Sequence, residues 1–133
     1  MVTMSHHRET VTAVGGPPAA GPYSHAVKAG GLIFLSGQTP VDPDTKSLVE
    51  GDIGVHTRRC LDNLAIVAAA AGASLDDAVR CGIYVTDISV FGQVNEAYAT
   101  YFGDEPPART TIGVASLPLG ADVEIDAILA IPD

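Results

Sequence analysis

Arg109 holds the most telling position among the seven basic residues of this sequence. It follows Pro106-Pro107-Ala108 and opens a run with strand character, so rigid backbone at a sheet end would hold its guanidinium. A forked, permanently charged donor held in that way suits recognition of a carboxylate. An ordinary surface or ion-pair arginine satisfies the position as well. Glu124 and Asp126 stand at i and i+2 on one strand, on the same face as Ile128 and Ala130. Carboxylates on a partly apolar face are candidates for a shifted pKa and general-base work, the alternative being a solvated strand end. Asn95 lies in an otherwise apolar helix face, where an unbonded amide is costly, so it needs a partner or a ligand. Tyr23, within Gly21-Pro22-Tyr23-Ser24, can place a phenol over a pocket or pack in a turn. Ser36 has no His/Asp company arranged for nucleophilic catalysis, and neither a Gly-x-Ser-x-Gly elbow nor a glycine-rich phosphate loop occurs. His25 and His56 do not pair at a metal-ligand spacing, and Cys60 and Cys81 form no CxxC or Cys/His set, so buried free thiols are expected. The inventory describes a site with one arginine, one or two carboxylates, and no metal or cofactor motif.

The elements that must position these groups follow from periodicity. A short edge strand is expected at Thr10–Val14, after a loosely attached tail over residues 1–10, and the breaker-rich stretch Gly15–Pro22 must be loop. Two apolar runs flank Gly30-Gly31 and predict a β-hairpin, Tyr23–Lys28 with Leu32–Leu35. Asp52 caps a predicted helix to about Ala71, with Thr57, Cys60, Leu61, Leu64, Ala68 and Ala71 as one apolar stripe and Gly72 as its stop. Ser74-Leu-Asp-Asp77 reads as a capping box. Val79, Cys81, Ile83 and Val85 predict a strand with one buried face. A second helix is expected from Asp87 or Ser89 to Gly103, then strands at Arg109–Ala115 and Val123–Ile131. The domain is therefore read as residues 15–133, preceded by a tail and edge strand over 1–14, with an α+β mixed sheet.

Two helices cover one face of such a sheet. Along the final strand Val123, Ile125, Ala127, Leu129 and Ile131 make one apolar face, while Ile128 and Ala130 make the other half apolar. A second copy of the chain is the economical cover for that other face. Composition supports this: only 17% of the 133 residues are charged, against about 25% in ordinary soluble domains. The net charge of −9 argues against binding a phosphate backbone or an anionic membrane surface. No apolar run reaches the ~20 residues of a bilayer span and no signal-peptide pattern is visible, so a cytoplasmic protein is expected.

Read together, Gly21-Pro-Tyr-Ser24, Leu35-Ser-Gly-Gln38, Leu61-x-Asn63-Leu64, Val94-Asn95-x-x-Tyr98, Pro107-Ala-Arg-Thr110 and Val123-Glu-Ile-Asp126-Ala-Ile128 resemble the signature of the reactive-intermediate deaminase (Rid, or YjgF-like) family. The resemblance runs from about Gly21 to Ile131, in order and spacing. It implies a chorismate-mutase-like fold with two helices on one sheet face, assembled as a homotrimer with sites in the clefts between subunits. It implies a metal-free hydrolase that converts 2-enamine or 2-imine acids, such as 2-aminoacrylate, to 2-keto acids and ammonia. Arg109 would then bind the substrate carboxylate and Glu124 would orient or activate water, with Tyr23, Ser36, Asn95 and Thr111 lining the pocket. His25 stands where many relatives have Gln, Thr111 where the best-known deaminases have Cys, and His56 where Gln is frequent. A histidine beside the pocket would bring a pH response between ~5 and 8. A binding or sensing module for 2-keto or amino acids is the alternative use of the same fold. Direct work on RNA is disfavoured by the acidic balance.

Overall fold

The computed structural model describes residues 7–133. The chain forms β1 (Glu9–Val11), β2 (Ala26–Ala29), β3 (Leu32–Gln38), α1 (Ile53–Ala70), β4 (Ala78–Val85), α2 (Phe91–Ala99), β5 (Ala108–Gly113) and β6 (Val123–Ala130). The strands make one six-stranded sheet in the order β1-β2-β3-β6-β4-β5. Every neighbouring pair is antiparallel except β4 and β5, which run parallel and are joined through α2.

Local chemistry accounts for the elements. Gly30 and Gly31 both take positive φ, 61° and 81°, and close the β2–β3 hairpin between the paired residues Ala29 and Leu32; a two-residue turn of this hand requires that conformation. The Asp52 side chain accepts from the Val55 N–H at 3.0 Å and starts α1. Gly72 in the left-handed region stops it, with Ala73 N–H bonded to the Ala68 carbonyl at 2.9 Å. The expected capping box is present: Asp76 N–H donates to Ser74 Oγ and Ser74 N–H to Asp77 Oδ2.

Both helices lie on one face, where Leu61, Leu64 and Val67 of α1 and Val94 and Tyr98 of α2 join Ile33, Ile83, Ile125 and Leu129 in a single core. Along β6 burial alternates strictly: Val123, Ile125, Ala127 and Leu129 are buried, while Glu124, Asp126, Ile128 and Ala130 are half-buried on the face without helices. Phe34, opposite Ile128, is 43% exposed on that open face.

Several boundaries differ from the sequence reading. β1 begins at Glu9, which pairs with Lys28, and ends at Val11, so the chain is already part of the sheet where a tail was expected; residues 1–6 lie outside the described residues. The second helix begins as a 3₁₀ turn at Ile88–Val90 and ends at Ala99, short of Gly103, because the chain must turn back toward β5. Val79, expected on the buried face of β4, is 43% exposed because the β4–β6 register shifts between Ala78 and Arg80.

Asn63 ties the loop after β3 to α1. Fully buried, it donates from Nδ2 to the carbonyls of Val41 (2.8 Å) and Thr39 (3.3 Å) and accepts from Arg59 Nε at 3.1 Å. Replacing it with Leu strands those carbonyls, and chemical denaturation should register a loss of about 2–3 kcal/mol. A change below the error of the measurement would show that the loop is held by other contacts.

Candidate active site

Arg109 lies in register with Cys81 on the neighbouring parallel strand, and Cys81 is fully buried in the helix-side core. The arginine therefore projects toward the helix layer. Its Nη2 donates to Asn95 Oδ1 at 2.6 Å, and its guanidinium carbon stands 4.8 Å from the Tyr98 ring centroid and 5.5 Å from that of Phe91. These contacts supply the partner that Asn95 needed and give Phe91, 42% exposed rather than packed in the core, a cation–π role. Ala99, Phe102, Gly103, Pro106 and Pro107 complete an open cleft of about 380 Å³. Among the described residues no carboxylate comes within ion-pair distance of Arg109, so its charge is met only by a neutral amide and aromatic faces. Thr111, two residues along on the same face, has a buried Oγ1 with no hydrogen-bond partner. Burial pushes the Tyr98 phenol well above its ordinary value, so it stays protonated. Burial raises both thiols as well, Cys60 strongly, which makes neither an activated nucleophile.

A second cluster occupies the other face. Glu124 of β6 pairs with Tyr84 of β4 and lies so close to Gly37 that a Cβ there would overlap its carboxylate. Burial, and then the charge of Asp126, push Glu124 above the ordinary carboxylate range. Asp126 is itself bonded by the Tyr84 hydroxyl at 2.9 Å, with Arg80 at 3.9 Å. Ser36, next to Gly37, donates from Oγ to the Ser24 carbonyl at 2.6 Å. Tyr23 accepts from the Ala20 N–H at 3.0 Å and lines, with Gly37 and Gln38, a cavity of about 210 Å³.

His25 borders this cavity but is committed elsewhere. Its Nδ1 accepts from the Ala13 N–H at 2.8 Å and its Nε2 donates to the Pro17 carbonyl at 2.9 Å, so it latches the segment after β1 onto the sheet. The expected role as a pocket-facing proton switch gives way to a structural one. His56 bonds through Nδ1 to Asp122 at 2.8 Å.

One chain thus brings together Arg109, Asn95 and Thr111 on the helix side, and Tyr23, Ser36 and Glu124 around Gly37 on the other. It does not bring the two sets together, because alternation along β4 sends Cys81 and Ile83 into the core and Gly82 and Tyr84 to the open face. The cation–π platform that Phe91 and Tyr98 give Arg109 was not read from the sequence; their spacing to Asn95 on one helix was the available signal. Among the described residues no group of three or more His, Cys, Asp or Glu could hold a metal ion.

The model of the endoribonuclease L-PSP family matches residues 15–131. The chain belongs to this YjgF/RutC/Rid family. Among its members, protein DfrA of Myxococcus xanthus is 47% identical over 123 residues, covering 91% of this chain and 94% of that one. The 2-iminobutanoate/2-iminopropanoate deaminase of Mus musculus is 40% identical over 121 residues, covering 91% and 90%. The crystal structure of RidA from an Antarctic Psychrobacter superposes with a TM-score of 0.88 at 38% identity, over 92% of this chain and 99% of that one. The mixed α+β fold with one sheet and two helices is the Rid fold.

The packing of Glu124 on Gly37 sets a test of the second cluster. In Gly37→Ala the carboxylate must swing toward solvent, so its titration, followed by carbon NMR, should move down toward the ordinary glutamate range of about 4.3. An unchanged midpoint would show that Gly37 does not hold it.

Proposed function

We propose that this Rid-family chain hydrolyses 2-enamine and 2-imine acids to 2-keto acids and ammonia, in a site shared between two copies of the chain. The observation that carries the reading is Arg109: a half-buried guanidinium without a carboxylate partner among the described residues, in a cleft one small molecule could fill. An uncompensated cation there is suited to a substrate carboxylate, gripped by its free edge while Asn95 fixes the other. The family's deaminase member in mouse gives the reaction class its name.

The remaining chemistry is light. An enamine acid first takes a proton at C3 and becomes an iminium, protonated on nitrogen, whose C2 is already electrophilic. Water adds to C2 and passes a proton to Glu124. The carbon–nitrogen bond of the resulting carbinolamine then breaks as the proton moves to the departing nitrogen. Products are the 2-keto acid and ammonium. A carboxylate raised by burial and by a neighbouring like charge is a stronger base than a solvated glutamate. Tyr23, Ser36 and Thr111 line the pocket. The description of the matched family as an endoribonuclease finds less support, since His25 and His56 are tied into the fold and the net charge of −9 repels a polyanion.

Because Arg109 and Glu124 sit on opposite faces of one sheet, a site using both takes them from different copies. The open face, with Phe34, Leu32, Ile128 and Ala130, supplies an apolar surface for that contact. Three copies around an axis, each presenting its Arg109 face to the Glu124 face of the next, complete three such sites.

Complementation tests both claims. Arg109→Ala and Glu124→Gln should each slow decay of an enzymatically generated imine by 10²-fold or more. Chains of the two variants, mixed and reassembled in equal amounts, should regain activity in about a quarter of their sites, because one intact pair forms from two damaged chains. Failure of the wild type to accelerate imine decay overturns the reaction. Active single variants overturn the residue roles, and a mixture that stays inactive overturns the shared site.

The pH profile gives a second test. With Glu124 raised, the acid limb of kcat/KM should lie above the ordinary glutamate value of about 4.3, and Asp126→Asn should move it to lower pH by removing the like charge. A raised folded-state pKa contributes stability at low pH that is lost as pH climbs through it. Glu124→Gln should therefore be at least as stable as wild type at pH 7, so its inactivity would not reflect unfolding. An acid limb unmoved by Asp126→Asn would remove Glu124 from the role of base.

A further inference from the structure

Among the described residues two that are not glycine adopt positive φ, Lys46 at 62° and Leu119 at 64°, and both line the cavity shared by Tyr23 and Gly37. A left-handed conformation is unfavourable for a residue with a Cβ, and such strain tends to persist where the side chain it places is useful. Lys46 is held there firmly. Its N–H donates to the Asp42 carbonyl at 2.8 Å, Asp42 Oδ1 accepts from Asp44 and Thr45, and Asp42 N–H closes the turn on the Ser47 carbonyl at 2.9 Å. The Asp42 carboxylate is thus occupied by backbone. Among the described residues Lys46 forms no ion pair, and it is the cation lining this cavity.

The cavity also contains Gly37, against which the Glu124 carboxylate packs. Gly37 is thus the residue common to this cavity and to the carboxylate that the deaminase reading makes the base. A substrate anchored by its 1-carboxylate on Arg109 of one copy, with C2 at Glu124 of the other, has its side chain left to place. Lys46 offers that side chain a positive end. We propose that Lys46 is a specificity-determining residue that selects dicarboxylic 2-imino acids, binding the distal carboxylate while Arg109 binds the proximal one. This inference rests on the deaminase reading for the identity of C2.

The experiment compares imines generated in place by flavin oxidases from D-aspartate, D-glutamate and D-2-aminobutyrate. The ratio of kcat/KM for the acidic imines over the neutral one should fall about fivefold or more in Lys46→Gly and in Lys46→Met, as expected for losing one partly exposed ion pair. The loss should appear in KM, Lys46→Arg should retain the ratio, and added salt should shrink it in the wild type. Lys46→Gly relieves the left-handed strain, so its unfolding temperature should be no lower than that of wild type. A purely structural role would lower all three substrates together and leave the ratio fixed, and an unchanged ratio overturns the proposal. If no imine is turned over, the deaminase reading fails and calorimetry with 2-oxoglutarate against 2-oxobutanoate decides Lys46. A preference for the diacid that Lys46→Gly abolishes upholds the assignment, and equal affinities in wild type refute it.

Discussion

The two-residue alternation of β6 is the constraint on which the rest of the molecule depends. Val123, Ile125, Ala127 and Leu129 hold the helices to the sheet, and the residues between them, Glu124 and Asp126, are thereby fixed on the opposite face. A shift of one residue would put two carboxylates into the core and four apolar side chains into solvent, a far larger penalty than any single contact can offset. Placement of the acidic pair is thus as secure as the core itself. β5 obeys the same rule with the opposite outcome, since its register with β4 commits Arg109 to the helix side.

Charge is placed sparingly and with consequences. Arg109 is met by Asn95 and two aromatic rings rather than a carboxylate, which leaves its field available in the cleft. Two other arginines are engaged locally: Arg80 stands near Asp126 and Arg59 donates to Asn63. Two histidines are similarly occupied, His25 as a latch for the segment after β1 and His56 beside Asp122.

Most of the fold was legible because its signals are local. Gly30-Gly31, the Asp52 cap, the Gly72 stop and the Ser74 capping box each declare themselves within a few residues, and the alternation in β6 is unbroken. The register shift that exposes Val79 was not legible, since a bulge is set by the partner strand and not by the run itself. The early end of α2 at Ala99 was hidden because Tyr101 and Phe102 continue an apolar pattern while packing from a turn. For the site, the residue types pointed to Arg109, Asn95 and Glu124, but the sheet faces that separate Arg109 from Glu124 follow from pairing between distant strands. The commitment of His25 was invisible for the same reason: its partners, Ala13 and Pro17, are backbone groups whose positions only the folded chain defines.

The order of the strands has a consequence for how the molecule forms. β6 is last in sequence among the elements, yet it lies between β3 and β4 and supplies the hydrogen bonds that join them. Before it is added, β1-β2-β3 and β4-β5 are separate fragments with no ladder in common, and the apolar face of α1 has no continuous surface to rest on. Native topology is therefore established late, by long-range closure rather than by growth from one end, which favours slow folding and a period in which the unfilled gap between β3 and β4 is open to the wrong strand.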